Sequence, residues 1–179
     1  MRVIAGTLGG RRIAAPAGQS TRPTPERVRE ALFSALGDLS GLVVLDLFSG
    51  SGALAIEALS RGAERAVLVE NDRWAGVTIT GNLDTLGIAD HAELREQDAL
   101  AALRAAAAAG ERYDLVFLDP PYKEAPKLGP RLSVALPEVL RPDARVVAES
   151  DRRTPLEVTG LPLTFERRYG DTLLRIYTS

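Results

Sequence analysis

The tetrapeptide Asp119-Pro120-Pro121-Tyr122 carries the densest chemistry in the sequence. It follows the apolar run Tyr113–Leu118, which reads as a buried strand. Two prolines end the ladder there, because neither has an N–H to give and each fixes φ. They hold the Asp119 carboxylate and the Pro120 carbonyl in one rigid arrangement at the strand's carboxyl end, and they push the Tyr122 ring out of the sheet. Two acceptors beside a flat aromatic face suit an exocyclic amine on a nucleobase: the acceptors take its protons and the ring stacks the base. The plain alternative is a turn that merely contains Pro-Pro, and a second motif upstream weighs against it.

That motif is Val43-Val44-Leu45-Asp46-Leu47-Phe48-Ser49-Gly50-Ser51-Gly52: a strand, a glycine-rich turn and the start of a helix. Glycines there permit tight turning and close approach of a ligand to backbone. Glu70 ends the next strand, twenty residues after Gly50, where an acid can accept from both hydroxyls of a ribose. Gly50-x-Gly52-x-x-Ala55 with Glu70 also satisfies the dinucleotide fingerprint, whose turn faces a pyrophosphate. Asp46 argues against a diphosphate, since a carboxylate at the mouth of the turn repels one and suits an ammonium. S-adenosylmethionine offers a ribose for Glu70 and an ammonium for Asp46. Its adenine needs a third site, and Asp98 can accept from the N6 amine with the Ala99 backbone alongside. Asp98 also reads as a plain helix N-cap, and the two roles are compatible. Phe48 reads as a wall of this pocket, with core packing as its alternative.

These loops need a frame. From residue 42 the chain alternates strand and helix. Segments 42–47, Arg65–Glu70, Ala92–Glu96, Tyr113–Leu118 and 145–149 read as strands. Segments 53–61, 72–86, 98–109 and 128–140 read as helices, with Gly62, Gly87 and Gly110 as stop signals. Segments 163–168 and 172–177 pair across Tyr169-Gly170-Asp171 as a hairpin. This pattern predicts an α/β, Rossmann-like fold: a mostly parallel, doubly wound sheet with an antiparallel C-terminal hairpin. Ligands of such sheets bind beyond the carboxyl ends of the strands at the switch point, where both motifs fall. Ahead of the alternation, residues 2–5 and 11–15 form a small β-ribbon. Thr24-Pro25-Glu26 then opens a helix, with Thr24 as N-cap and Pro25 at the first helical position. Val28, Ala31, Leu32, Ala35 and Leu36 mark its buried face.

Composition narrows the function classes. The 179 residues read as one domain with a substantial core. With no cysteine and a single histidine, His91, thiolate metal sites, disulfides, a Cys nucleophile and a Ser-His relay are not expected. His91 reads as a surface residue. No apolar run is long enough to span a bilayer and the start lacks a signal-peptide core, so a cytoplasmic protein without membrane contact is expected. Net charge is −2, yet residues 1–30 hold six arginines (Arg2, Arg11, Arg12, Arg22, Arg27, Arg29) against two acids. A local basic patch of this kind suits a phosphate backbone. Arginine is also the default cation here, twenty against Lys123 and Lys127, so a solvated face remains open. The two lysines read as a solvated loop.

The two main motifs together resemble class I amino-methyltransferases. Arg2-Val3-Ile4-Ala5-Gly6, Gly10-Arg11, Arg22-Pro23-Thr24 followed by Arg27-Val28-Arg29-Glu30-Ala31-Leu32-Phe33, and Tyr169-Gly170-Asp171-Thr172 narrow the resemblance to the RsmD family, over essentially the whole chain. The resemblance implies a seven-stranded sheet, S-adenosyl-L-methionine as donor with S-adenosyl-L-homocysteine as product, and no metal. It implies methylation of a guanine N2 in bacterial 16S rRNA, within a 30S subunit or assembly intermediate; no oligomerisation signal is seen in the sequence, and a monomer is expected. The catalytic set would be Asp119, Pro120, Pro121 and Tyr122. The cofactor set would be Asp46, Phe48, Ser49, Gly50, Gly52, Glu70, Asn71, Asp98 and Ala99, with Arg22 and Thr24 closing over the methionine end. RNA contacts would come from Arg2, Arg11, Arg12, Arg22 and Arg27. The chain then divides into a basic extension, residues 1–22, and a methyltransferase domain, residues 23–179.

Other functions use some of the same residues. The tetrapeptide also serves adenine-N6 or cytosine-N4 methylation of DNA, although 179 residues leave no room for a separate target-recognition domain. Methylation of a protein or small-molecule amine would make the arginines mere surface. A dinucleotide-dependent oxidoreductase would use the glycine turn alone.

Overall fold

The computed structural model describes residues 1–16 and 24–179. Seven strands form one sheet in the order β3-β2-β1-β4-β5-β7-β6. They are β1 (Val43–Asp46), β2 (Arg65–Glu70), β3 (Ala92–Glu96), β4 (Tyr113–Leu118), β5 (Leu140–Asp151), β6 (Leu163–Tyr169) and β7 (Thr172–Thr178). The first five run parallel, and β7 lies antiparallel between β5 and β6. Strand order reverses at the β1–β4 boundary, which is therefore the switch point.

Helices α1 (Glu26–Leu36), α2 (Ala53–Ser60) and α3 (Arg73–Leu86) cover one face, and α4 (Ala99–Ala108) and α5 (Ala125–Ala135) the other. Cover on both faces explains why the central strands are apolar runs rather than alternating ones. Val44, Leu68, Phe117 and Val147 enter the first core; Leu45, Val67, Val116 and Val146 enter the second.

The N-terminal ribbon is a single bridge, Arg2 with Arg12, rather than two strands. It shares the first core through Val3, Leu8 and Ile13. Buried Glu57 accepts from the amides of Ile4 (2.7 Å) and Ala5 (3.1 Å), fastening the ribbon to α2. Gly6 makes the approach possible: it has φ +80°, and a Cβ there would sit 1.8 Å from the Ser60 carbonyl oxygen.

Three expectations shift. Pro25, not Thr24, caps α1, and no side chain completes the cap. The buried face of α1 runs through Val28, Arg29, Leu32, Phe33 and Leu36 because Phe33 packs on Phe117 at 5.8 Å between ring centroids. Strand β5 starts at Leu140, and α5 starts at Ala125 and gives way to a 3-10 turn (Leu136–Val139).

Candidate active site

On the donor side, β1 delivers Asp46 to the switch point and the chain turns through Leu47–Gly52. Ser49 Oγ donates to the Asp46 carbonyl (2.8 Å), the Ser49 amide to Val69 O (3.1 Å), and the Gly52 amide to Ser49 O (2.7 Å). Gly52 holds φ +79°, and a Cβ there would crowd Leu68 at 3.1 Å, so this glycine answers to packing as much as to a ligand. Glu70 pins the turn from the side: one carboxylate oxygen accepts from the Gly50 amide (2.8 Å) and the other from the amides of Asn71 and Asp72 (both 2.9 Å). Asp98 caps α4, one oxygen accepting from Leu100 and Ala101 (3.0 Å each). Asp98 and the Asn71 side chain are exposed, whereas Ala99 is buried in the second core. Phe48 is half-buried and packs against that same core, so core contact accounts for at least part of its ring.

Asp46 is the anomaly. It is buried, and neither carboxylate oxygen has a hydrogen-bond partner among the described residues. Burial pushes its pKa up to about 7; the amides of Phe48 and Ala55 draw it down a little without meeting hydrogen-bond geometry, and the Glu70 charge adds to the rise. A buried carboxyl without donors is costly, and a cationic ligand relieves that cost.

On the acceptor side, β4 delivers Asp119. Pro120 is buried, Pro121 is exposed and the Tyr122 ring is 36% exposed at the rim. The Glu124 amide closes the turn by donating to Pro121 O (2.8 Å). Burial holds the Asp119 pKa well above the usual carboxylate range, the charges of Glu149 and then Asp46 add to the shift, and the Thr24 hydroxyl partly offsets it. Burial also raises the Tyr122 phenol; the nearby Thr172 hydroxyl draws it down, while Glu149, Asp119 and Asp151 push it up. The Tyr169-Gly170-Asp171-Thr172 turn thus reaches the same end of the sheet as the tetrapeptide.

Glu149 has no assigned role in the sequence reading. It sits buried at the end of β5, beside Asp119, and accepts from Thr24 Oγ1 at 2.9 Å. Burial lifts its pKa to about 7, against the Thr24 hydrogen bond. The available signal was the one used for Glu70: an acid closing an apolar strand. Thr24 is thus placed against an acceptor-side carboxyl. Arg22 lies outside the described residues.

The expected RNA face is thinner than the arginine count suggests. Arg29 is fully buried; one terminal nitrogen donates to Arg2 O (2.7 Å) and the other two guanidinium nitrogens lack partners among the described residues. Burial lowers its pKa, against the pull of Glu57 and Glu26. Arg11 spends its guanidinium on the last carbonyls of α3, Thr85 (2.7 Å) and Leu86 (3.2 Å). Arg2, Arg12 and Arg27 remain exposed; Glu26 shares one shallow concavity with Arg2 and Arg12, and Glu26 and Glu30 share an adjoining one with Arg2.

A seven-stranded sheet in this order, with a glycine turn after β1 and Asp-Pro-Pro-Tyr after β4 meeting at the switch point, is the class I methyltransferase architecture. A family model described as Conserved hypothetical protein 95 matches residues 1–178, and the chain belongs to that family, the RsmD family its motifs resemble. The chain is 43% identical over 180 residues to a Bacillus subtilis (strain 168) protein named "Putative rRNA methyltransferase YlbH", covering 99% of this chain and 98% of that one. It is 40% identical over 124 residues to the Ribosomal RNA small subunit methyltransferase D of Escherichia coli (strain K12), covering 69% of this chain and 61% of that protein. An RNA methyltransferase from Salinibacter ruber, solved in complex with S-adenosyl-L-homocysteine, superposes with a TM-score of 0.67 at 25% identity, covering 88% of this chain and 93% of that one. No helix among the described residues is long and apolar enough to cross a membrane.

Proposed function

We propose that this protein transfers a methyl group from S-adenosylmethionine to the exocyclic N2 amine of a guanosine in small-subunit rRNA. The observation that carries the reading is the adjacency of Asp46, at the end of β1, and Asp119, just past the end of the neighbouring β4, close enough for the Asp46 charge to raise the Asp119 pKa. The names of the Bacillus and Escherichia relatives support an rRNA substrate, and the product bound to the Salinibacter protein supports the cofactor.

The residues present fit that cofactor. Asp46, buried and without donors, suits an amino-acid ammonium. Glu70 retains acceptor capacity for ribose hydroxyls beyond its three amide bonds, since an ionised carboxylate has about four lone-pair sites. The second oxygen of Asp98 would take the adenine amine while the first caps α4. When bound, the cofactor supplies a methyl group made electrophilic by its sulfonium.

The chain supplies position and charge. Asp119 and the Pro120 carbonyl accept from the two N2 protons and aim the nitrogen lone pair at the methyl carbon. As the N–C bond forms and the C–S bond breaks, positive charge grows on N2. The Asp119 carboxyl offsets that charge and receives the departing proton, and burial, which raises its pKa, strengthens it as a base. Tyr122 stacks the extruded base, an interaction worth about 1–3 kcal/mol. Arg2, Arg12 and Arg27 contact phosphate as the protein, a monomer, docks on a partly assembled particle.

The test is methylation of small subunits from a strain lacking the enzyme, followed by mass spectrometry of the nucleosides. N2-methylguanosine in the small-subunit rRNA is expected. A methyl group on adenine N6, cytosine N4 or a ribosomal protein would overturn the reading.

A further inference from the structure

We infer that Glu149 is the residue that reads guanine: it accepts from the base's N1–H while Asp119 and the Pro120 carbonyl hold the N2 amine. This deepens the guanine-N2 reading above and rests on it.

The placement comes from strand register. β4 and β5 are parallel neighbours, with Leu118 opposite Ala148. Phe117 and Val147 point into the first core, and Leu118 and Ala148 into the second. Side chains alternate along a strand, so the next pair, Asp119 and Glu149, returns to the first face together. Neighbouring strands lie about 4.8 Å apart, which sets two carboxyl groups side by side at the mouth of the acceptor site. The Tyr122 phenol feels both charges, so the stacking ring overlooks the pair.

The chemistry follows from what a base edge offers. Guanine presents N1–H beside its N2 amine, an unbroken row of donors. Adenine and cytosine present a ring-nitrogen lone pair beside their amines. If Asp119 and Pro120 take both N2 protons, N1–H needs a further acceptor, or burial leaves it unpaired at a cost of about 1–3 kcal/mol. Glu149 supplies that acceptor from the neighbouring strand, and among the described residues Thr24 alone bonds its carboxyl, using one lone-pair position. Burial lifts both carboxyl pKa values and the Glu149 charge adds to the rise of Asp119, so donors brought by guanine favour the ionised pair. Against adenine N1 or cytosine N3, an ionised Glu149 faces lone pair with lone pair. Sites built to bond a substrate N–H reject analogues lacking it far more strongly than apolar pockets reject a changed methylene.

The probe is 2-aminopurine, which keeps the N2 amine and replaces the N1–H donor by a lone pair. Nucleoside mapping first locates the methylated guanosine. Small-subunit rRNA is then ligated from a synthetic fragment carrying guanine or 2-aminopurine at that nucleotide and assembled into particles. Wild type should favour guanine by at least about a hundredfold in kcat/KM. Glu149→Gln still accepts from Thr24 through its amide oxygen but turns an N–H toward the base. It should lose guanine activity and methylate 2-aminopurine faster than wild type does, bringing the ratio toward one. An absolute gain on one base cannot come from damaged folding. Equal use of both bases by wild type overturns the inference, whatever the variant does, and so does an equal loss on both bases in Glu149→Gln. A mapped base other than guanine is a different failure, that of the parent reading.

Discussion

Glu70 and Asp119 both close a buried strand with a carboxylate, at the same end of one sheet, and their surroundings could hardly differ more. Glu70 accepts from three backbone amides and so braces the glycine turn. Asp119 stands among Glu149 and Asp46, with burial and two neighbouring negative charges opposing its ionisation. The donor side is therefore shaped by backbone amides that exist whether or not a ligand is bound. The acceptor side holds carboxyl groups that, beyond the Thr24 hydroxyl, would take their donors from the proposed substrate. Asp46 belongs to the first by position and to the second by its lack of partners. Rigidity on one side and electrostatic frustration on the other suit a two-substrate reaction, in which one ligand is placed and the other is discriminated.

The largest test of that division is Asp119→Ala. Methyl transfer in a single turnover should fall at least about a hundredfold, the scale for removing a preorganised polar group. Calorimetric affinity for S-adenosylhomocysteine should barely change. Comparable losses in both would erase the distinction between the two sides.

Asp46→Asn comes next and should cut opposite ways. Losing a charge-assisted contact to the ammonium should weaken S-adenosylhomocysteine by roughly tenfold to a hundredfold, from about 1.5–3 kcal/mol. Stability without ligand should improve at alkaline pH. The folded-state pKa, about 7, lies above the ordinary carboxylate value. Between the two, the native state binds more protons than the unfolded state, so stability falls as pH rises through that window. Glu149, also raised to about 7, adds to the same slope. Thermal melts across pH 4 to 8 should therefore decline for wild type and decline less for Asp46→Asn. A wild-type stability that rises over this range would contradict the frustrated setting.

Glu70→Ala sharpens the contrast with Asp46. It should also weaken the cofactor, by about tenfold for one or two lost hydrogen bonds, but it strands the amides of Gly50, Asn71 and Asp72. Ligand-free stability should therefore drop by about 1–2 kcal/mol in urea melts. Two acids on one site, with the same sign in binding and opposite signs in stability, would establish which one is structural.

The parts legible in the sequence were those governed by local pattern. Strands β2 and β4 end where their apolar runs end, and the site motifs lie where such strands must stop. What escaped was set by tertiary contact. Thr24 has the right chemistry for a local cap, yet its hydroxyl finds Glu149, 125 positions away. The pairing of Glu149 with Asp119 exists only through the β4–β5 register, and Arg141-Pro142-Asp143 hid the start of β5 by breaking its apolar pattern. Counting arginines could not reveal that Arg29 is buried or that Arg11 caps α3. Charge composition sees the residue, and only the fold decides where the charge is used.

The smallest effect separates two roles within one side chain. Asp98 caps α4 through one oxygen, and its other oxygen is the proposed adenine contact. Asp98→Ala should cost about 1 kcal/mol of stability by removing the cap, and any loss of cofactor affinity in it would be ambiguous. Asp98→Ser resolves that ambiguity, because serine caps about as well as aspartate but is too short to serve the cap and a ligand together. The serine variant should melt with wild type and still bind S-adenosylhomocysteine several-fold more weakly, in keeping with one hydrogen bond of about 0.5–1.5 kcal/mol. Unchanged affinity in Asp98→Ser would leave Asp98 a cap alone. The adenine would then have to be held by backbone, and the donor side would be more completely a backbone construction than the comparison with Asp119 already makes it.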